Sequence, residues 1–361
     1  MATQRQTDKV NKKPSLRDVF QKYSDSREGQ FLEATGGGVA NNDDNELGDG
    51  NFSITDKLSP DFKPRLSDEE YLNLLNEFYD DEEEIQGNQL KPVEEMTQEE
   101  ILIEIRNRVS NLKNKKMEIN GPFFENDLAL KLGCLRQLDL VTEKYGINFD
   151  EPFIIETINN PKEAVAFVNS GLSLQSSKNG TFFSISSKRI VFNTSDMANI
   201  RATKRMLEYE QNIGEWVKTS DSFYPESIAC HECGHIVCNS IFTQMSERQE
   251  FKLMPYLFKY KMGVYGDPDN DDKTKISPLQ LMVGDIIKNE IIERVYEIYI
   301  TDNPDLGRND FDKDTSSYGQ TLPQEWFAET FASMNGGTPS KSALALKKWL
   351  DGFYNFNGGN K

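Results

Sequence analysis

The two histidines of this 361-residue chain stand four apart around a glutamate, in His231-Glu232-Cys233-Gly234-His235. On a helix, residues i and i+4 lie on one face, one turn apart. Two imidazoles so placed can bind one tetrahedral zinc, and the glutamate between them can reach a water on that metal. Two histidines scattered at random take this spacing in about one chain in two hundred, before the glutamate is required. The segment therefore demands a helix, and the fold around it must bring in at least one more ligand.

The same helix carries Cys230, Cys233 and Cys238, so a structural cysteine site has to be weighed. At about 100° per residue, Cys230 and Cys233 point to the back of the face that carries His231 and His235. Cys238 lies near that face but one turn further on. These cysteines, with Cys134, read as small buried packing residues in a reducing compartment.

The formal net charge of −18 and a pI near 4.7 argue against a nucleic-acid binder and against an anionic membrane partner. The N-terminus has no apolar segment of the secretory type, and the best later apolar run, 286–300, is broken by Lys288, Glu290, Glu293, Arg294 and Glu297. The expected location is a cytoplasm, that of a host included, or a virion. A mean hydropathy of −0.64 is low for a chain packed throughout.

Three regions are expected. Residues 1–65 are polar and rich in Asn, Asp, Gly and Ser, and read as a disordered tail, with a short docking helix weighed near Leu16 to Tyr23. Residues 66–120 read as an acidic helical linker or docking region. Its signals are a capping box at Ser67 and Glu70 ahead of Tyr71 to Phe78, the run Asp80-Asp81-Glu82-Glu83-Glu84, and a second capping box at Thr97 and Glu100. Residues 121–361 read as the compact domain. Within it the patterning predicts helices over 127–145, 161–169, 203–217, 225–243, 277–300 and 340–353. Strands are predicted at 153–158, 173–176 and 182–193, the last two joined at Asn179-Gly180. Asp267 to Asp272 superficially suggests a calcium loop but lacks its sixth-position glycine, and reads as a solvated loop. The fold class is α+β.

Two histidines leave a catalytic zinc one protein ligand short, and no third histidine exists. The longer His-Glu-x-x-His-x-x-Gly-x-x-His pattern is excluded, because Cys238 and Ile241 occupy its last two positions. Two downstream helices offer acids. One contains Asn289-Glu290-Ile291-Ile292-Glu293. The other contains Glu325-Trp326-Phe327-Ala328-Glu329, whose two acids share a face of an otherwise aromatic helix.

Taken together, His231-Glu232-Cys233-Gly234-His235, Ser317-Tyr318-Gly319 and Glu325 to Glu329 closely resemble the catalytic domain of the anthrax lethal factor family. Related gluzincin-type domains occur in bacteriophage proteins. The resemblance spans about residues 121–345 in layout, and its specific part is these motifs. It implies a zincin-like domain, a small mixed sheet plus active-site helices, that hydrolyses peptide bonds. It further implies zinc held by His231, His235 and Glu325, with Glu232 as general base. By the same resemblance Tyr318 assists the transition state, and Glu329 supports a ligand histidine. Cys233 stands where the family has a bulky residue, and Leu322-Pro323-Gln324 differs ahead of the ligand helix. By analogy with such folds, Arg189, Ile190 and Phe192 are expected on an edge strand that pairs with an extended polypeptide substrate; the plainer reading is a central strand. The alternatives are a non-catalytic virion component that retains the zinc-binding fold, or a toxin of the lethal-factor kind. The N-terminal region is then the expected contact with phage structural proteins.

Overall fold

In the computed structural model, described residues run from 91 to 358, apart from 148, 150, 179, 221, 222 and 267–275; side chains beyond 354 are likewise not described. The expected tail over 1–65, the Ser67 helix with its acidic run, and the Asp267 to Asp272 loop lie outside them. Residues 83–361 group as one unit of mixed α+β architecture.

The chain enters through a short turn, Val93–Glu95, and helix α1, Gln98–Asn114. The capping box read from the sequence forms, with Thr97 N–H donating to Glu100 at 2.7 Å and Glu100 N–H donating to Thr97 Oγ1 at 3.3 Å. Strand β1, Met117–Asn120, follows, then α2, Leu128–Lys144, capped by Asp127. Next come β2, Phe153–Ile158, β3, Ala166–Ser177, and β4, Gly180–Asn193. Helix α3 spans Ile200–Ile213 and leads to the long motif helix α4, Tyr224–Glu247. After α5, Leu253–Lys261, the stretch from Pro278 to Asp302 forms α6, Pro278–Ile287, a π-helical segment at Lys288–Ile292, and α7, Glu293–Asp302. Three helices close the chain: α8, Arg308–Lys313, α9, Pro323–Asn335, and α10, Lys341–Gly358.

The sheet order is β1-β2-β4-β3. β1 and β4 both run parallel to β2, and β3 runs antiparallel to β4 at the edge. This corrects two expectations. The helix expected over 161–169 is absent, because Ala166, Phe167 and Val168 pair with Phe192, Val191 and Ile190 to start β3. Strand pairing there overrides a weak local helix signal. The compact part also begins earlier than residue 121. β1 is part of the sheet, and α1 buries Ile101, Ile105 and Leu112 against the domain.

Helix α4 lies at the centre of the domain and is buried along most of its length. Where β4 extends past β2, Thr243 and Ser246 of α4 accept hydrogen bonds from Ile185 N–H and Phe183 N–H, at 2.9 and 3.0 Å. The helix thereby covers backbone donors that a neighbouring strand would otherwise take. On its other side α4 meets α2 so closely that a Cβ on Gly133 would stand 2.7 Å from the Pro225 carbonyl oxygen. An ion-pair layer ties α1, α2 and α4. Arg136 joins Glu104 at 2.8 Å and Glu226 at 3.4 Å, and fully buried Asp139 takes Arg108 at 2.6 Å and Lys115 at 3.0 Å. Among the described residues, no helix is long and apolar enough to cross a membrane.

Candidate metal centre

Helix α4 presents His231 and His235 on one face, as the i,i+4 spacing requires, with ring centroids 5.0 Å apart. Glu325, in the first turn of α9, stands opposite. Its Oε2 lies 3.2 Å from His231 Nε2 and 3.3 Å from His235 Nε2. Among the described residues, these three form the one group of His, Cys, Asp or Glu side chains whose ligand atoms all come within 4.8 Å of one another.

The donor set fits a zinc ion. Zinc bonds of about 2.0–2.1 Å at tetrahedral angles place neighbouring ligand atoms about 3.3–3.4 Å apart. The two Nε2–Oε2 separations fall close to that edge length. Glu325 Oε2 is also buried without a hydrogen-bond partner, an arrangement that costs free energy unless a cation satisfies the oxygen. The acids of the other candidate helix are engaged elsewhere. Glu290 accepts a hydrogen bond from Tyr256 at 2.8 Å, and Glu293 pairs with Arg308 at 2.6 Å.

Glu329, one turn beyond Glu325, has no exposure. Its Oε1 lies 2.8 Å from His231 Nδ1. An ionised carboxylate can only accept, so Nδ1 carries a proton, and in the neutral imidazole the Nε2 lone pair then faces Glu325 and the site. The other oxygen of Glu329 accepts from Val217 N–H at 2.8 Å and from Ser316 Oγ at 2.6 Å. Ser316 Oγ in turn accepts from Gly319 N–H at 3.0 Å, which shapes the turn that carries Tyr318.

The electrostatics are those of an anionic pocket around two imidazoles. Burial works against the His231 imidazolium, but the Glu325 and Glu329 carboxylates beside it hold it up at about 10. Burial alone would raise the Glu325 carboxyl; the two histidines beside it bring it well below the usual range. Glu232 is pushed up, first by burial, which outweighs the opposing pull of His231 and His235. Its Oε2 is buried without a partner. Burial, then the charges of Glu325 and Glu232, raise the Tyr318 phenol.

Glu232, His235, Tyr318 and Glu325 line one cleft of about 570 Å³. Its walls include Phe167, Val168 and Leu172 of β3, Leu279 and Val283 of α6, and Leu322. The strand beside the metal site is therefore β3, at the sheet edge. Arg189, Ile190 and Phe192, expected on that strand, lie instead on β4, between β2 and β3. Ile190 and Phe192 are fully buried core residues, and Arg189 pairs with Glu156 at 2.9 Å. The plainer reading of that segment holds, because its backbone is already paired on both sides. Sequence reasoning missed Ser316, the Val217 amide and Trp216, which packs 4.8 Å from the His231 ring.

Comparison of the chain with protein-family models, with curated protein sequences and with solved structures finds no match.

Proposed function

We propose that this chain is a zinc-dependent endopeptidase with a zincin-like fold, akin to the lethal factor family. The observation that carries the proposal is the convergence of His231, His235 and Glu325 at tetrahedral-edge distances, with Glu232 buried in the same cleft. A metal site serving only structure has no use for a buried acid with a partnerless oxygen beside it.

When bound, zinc supplies a Lewis acid and lowers the pKa of a coordinated water toward neutrality. His231, His235 and Glu325 would hold it, and Glu329 fixes the His231 tautomer. Glu232 takes the proton of the attacking water as the carbon–oxygen bond forms. It returns that proton to the leaving amine as the carbon–nitrogen bond breaks. The raised Glu232 carboxyl suits both directions of this transfer. The Tyr318 phenol, kept protonated by its surroundings, donates a hydrogen bond to the oxyanion. β3 offers an extended substrate the side that does not pair with β4. Outside the acids of the metal site the cleft walls carry apolar and uncharged polar side chains, which favours uncharged residues next to the scissile bond.

The test incubates the chain and its Glu232→Gln variant with zinc in a cell extract and compares new peptide N-termini by mass spectrometry. Termini made by the native chain and missing with the variant are expected. Equal termini from both, with zinc bound to both, would overturn the reading.

A further inference from the structure

Tyr318 is 42% exposed and sits on a turn between α8 and α9, so neither helix nor strand fixes its ring. An exposed tyrosine so placed changes rotamer in picoseconds to nanoseconds, which is poor preparation for a group that must meet one oxygen. Glu325 faces its hydroxyl, but the ring's stacking partner comes from a segment about 100 residues earlier in the chain.

The Trp216 ring lies parallel to the Tyr318 ring, with centroids 6.3 Å apart and planes at 14°. That separation falls within the range of offset stacking. The indole is itself fixed. Its Nε1–H donates to Ser227 Oγ at 3.2 Å. Ser227 is fully buried and precedes His231 by one turn of α4. The Trp216 ring also packs 4.8 Å from the His231 ring, and Tyr318 lies 5.9 Å from it, so the three rings cluster.

The backbones on either side are tied as well. Ser317 donates to the Gly214 carbonyl through its N–H at 2.9 Å and through its Oγ at 3.2 Å. Val217 N–H and Ser316 Oγ both donate to Glu329, at 2.8 and 2.6 Å. The 214–217 and 316–319 segments are thus joined to each other and to the metal centre, with the indole as the packing face between them.

We infer that Trp216 is a positioning residue, which acts through Tyr318 and not on the substrate. It holds the phenol over the point where His231, His235 and Glu325 converge. The inference rests on the peptidase reading for its kinetic consequence, but its structural core can be read without any activity.

The experiment uses the full chain loaded with zinc, as native protein, Trp216→Ala, Trp216→Phe, Tyr318→Phe and the double variant Trp216→Ala/Tyr318→Phe. The rings of its 13 tyrosines are labelled with carbon-13, and the Tyr318 signal is the one that Tyr318→Phe removes. In Trp216→Ala that signal is expected to move and the tyrosines remote from the site to stay, with zinc content unchanged. Trp216→Phe, which keeps a stacking ring, returns it most of the way. A Tyr318 signal unmoved in both Trp216 variants overturns the inference, whatever the chain does to peptides.

Kinetically, Trp216→Ala is expected to lower kcat by roughly three- to tenfold, with KM within about twofold. In the Tyr318→Phe background it should cost nothing further. Losses that multiply would overturn the inference, since Trp216 would then act independently of Tyr318. A moved Tyr318 signal in a chain that hydrolyses nothing would uphold the positioning and reject the peptidase reading.

Discussion

A Cβ on Gly234 would stand 2.8 Å from the Cα of Ala328, closer than side-chain carbons approach backbone. Gly234 lies between the two histidines on α4, and Ala328 lies between Glu325 and Glu329 on α9. The missing side chain therefore sets how near the two ligand-bearing helices come. Because the obstacle is backbone, Gly234→Ala must push α9 away. We expect it to destabilise the fold by about 1–3 kcal/mol and to weaken zinc binding, since Glu325 retreats from both histidines. Chemical denaturation with and without zinc measures both effects. A variant that binds zinc as tightly as the native chain would show that the approach of the helices does not set the ligand geometry.

The competing ligand helices separate cleanly in a metal titration. Glu325→Ala removes the oxygen that faces both Nε2 atoms and should abolish stoichiometric zinc binding. Glu290→Ala removes only an acceptor for the Tyr256 hydroxyl and should leave zinc binding within about threefold. The effect of Glu290→Ala should appear in stability, at about 0.5–1.5 kcal/mol for one hydrogen bond. The opposite pattern of metal loss would move the ligand assignment to the π-helical segment.

Glu329 never reaches the metal position, yet three groups depend on it. Glu329→Gln keeps its size but can no longer accept at both oxygens. Either the His231 tautomer or the ties to Val217 and Ser316 must be given up. Loss of such a supporting carboxylate typically weakens metal affinity by about 10- to 100-fold. Isothermal titration with zinc tests this, and an unchanged affinity would show that Glu329 serves only to pack α9.

The histidine pair declared its helix because the chemistry of one turn is local, and the spacing of Glu325 and Glu329 on an aromatic helix was equally local. The capping box at Thr97 likewise formed as read. What the sequence could not place were relations between distant segments. The edge position of β3, with β4 interior, depends on which strands pair, and residue patterning is silent on sheet order. The helix expected over 203–217 stops at Ile213 because Gly214 adopts φ +80° and caps it. That glycine was a readable stop signal, and reading it would have freed Trp216 and Val217 from the helix. Their placement beside His231 would still have needed the fold.

Glu226 gives the stability a pH dependence of definite sign. It is buried at the start of α4, with one carboxyl oxygen lacking a partner. Burial pushes it up from 4.5 to about 7, despite Arg136 facing it from α2; Glu104 of α1, which also binds Arg136, adds a smaller upward push. Cys134 of α2 and Cys230 of α4 feel the Glu226 charge, and burial holds both thiols protonated. The folded state therefore binds the Glu226 proton more tightly than the unfolded chain does. Its contribution is fully present below about pH 4.5 and is lost as pH rises through about 7. The swing is on the order of 3 kcal/mol. Glu226→Gln stays neutral throughout, so other titrating groups cancel when the two proteins are compared. Native stability minus variant stability, from urea denaturation between pH 4.5 and 8, should fall by that amount. A difference that stays flat, or rises, would mean that Arg136 keeps Glu226 ionised and that the ion pair with α2 persists across the range.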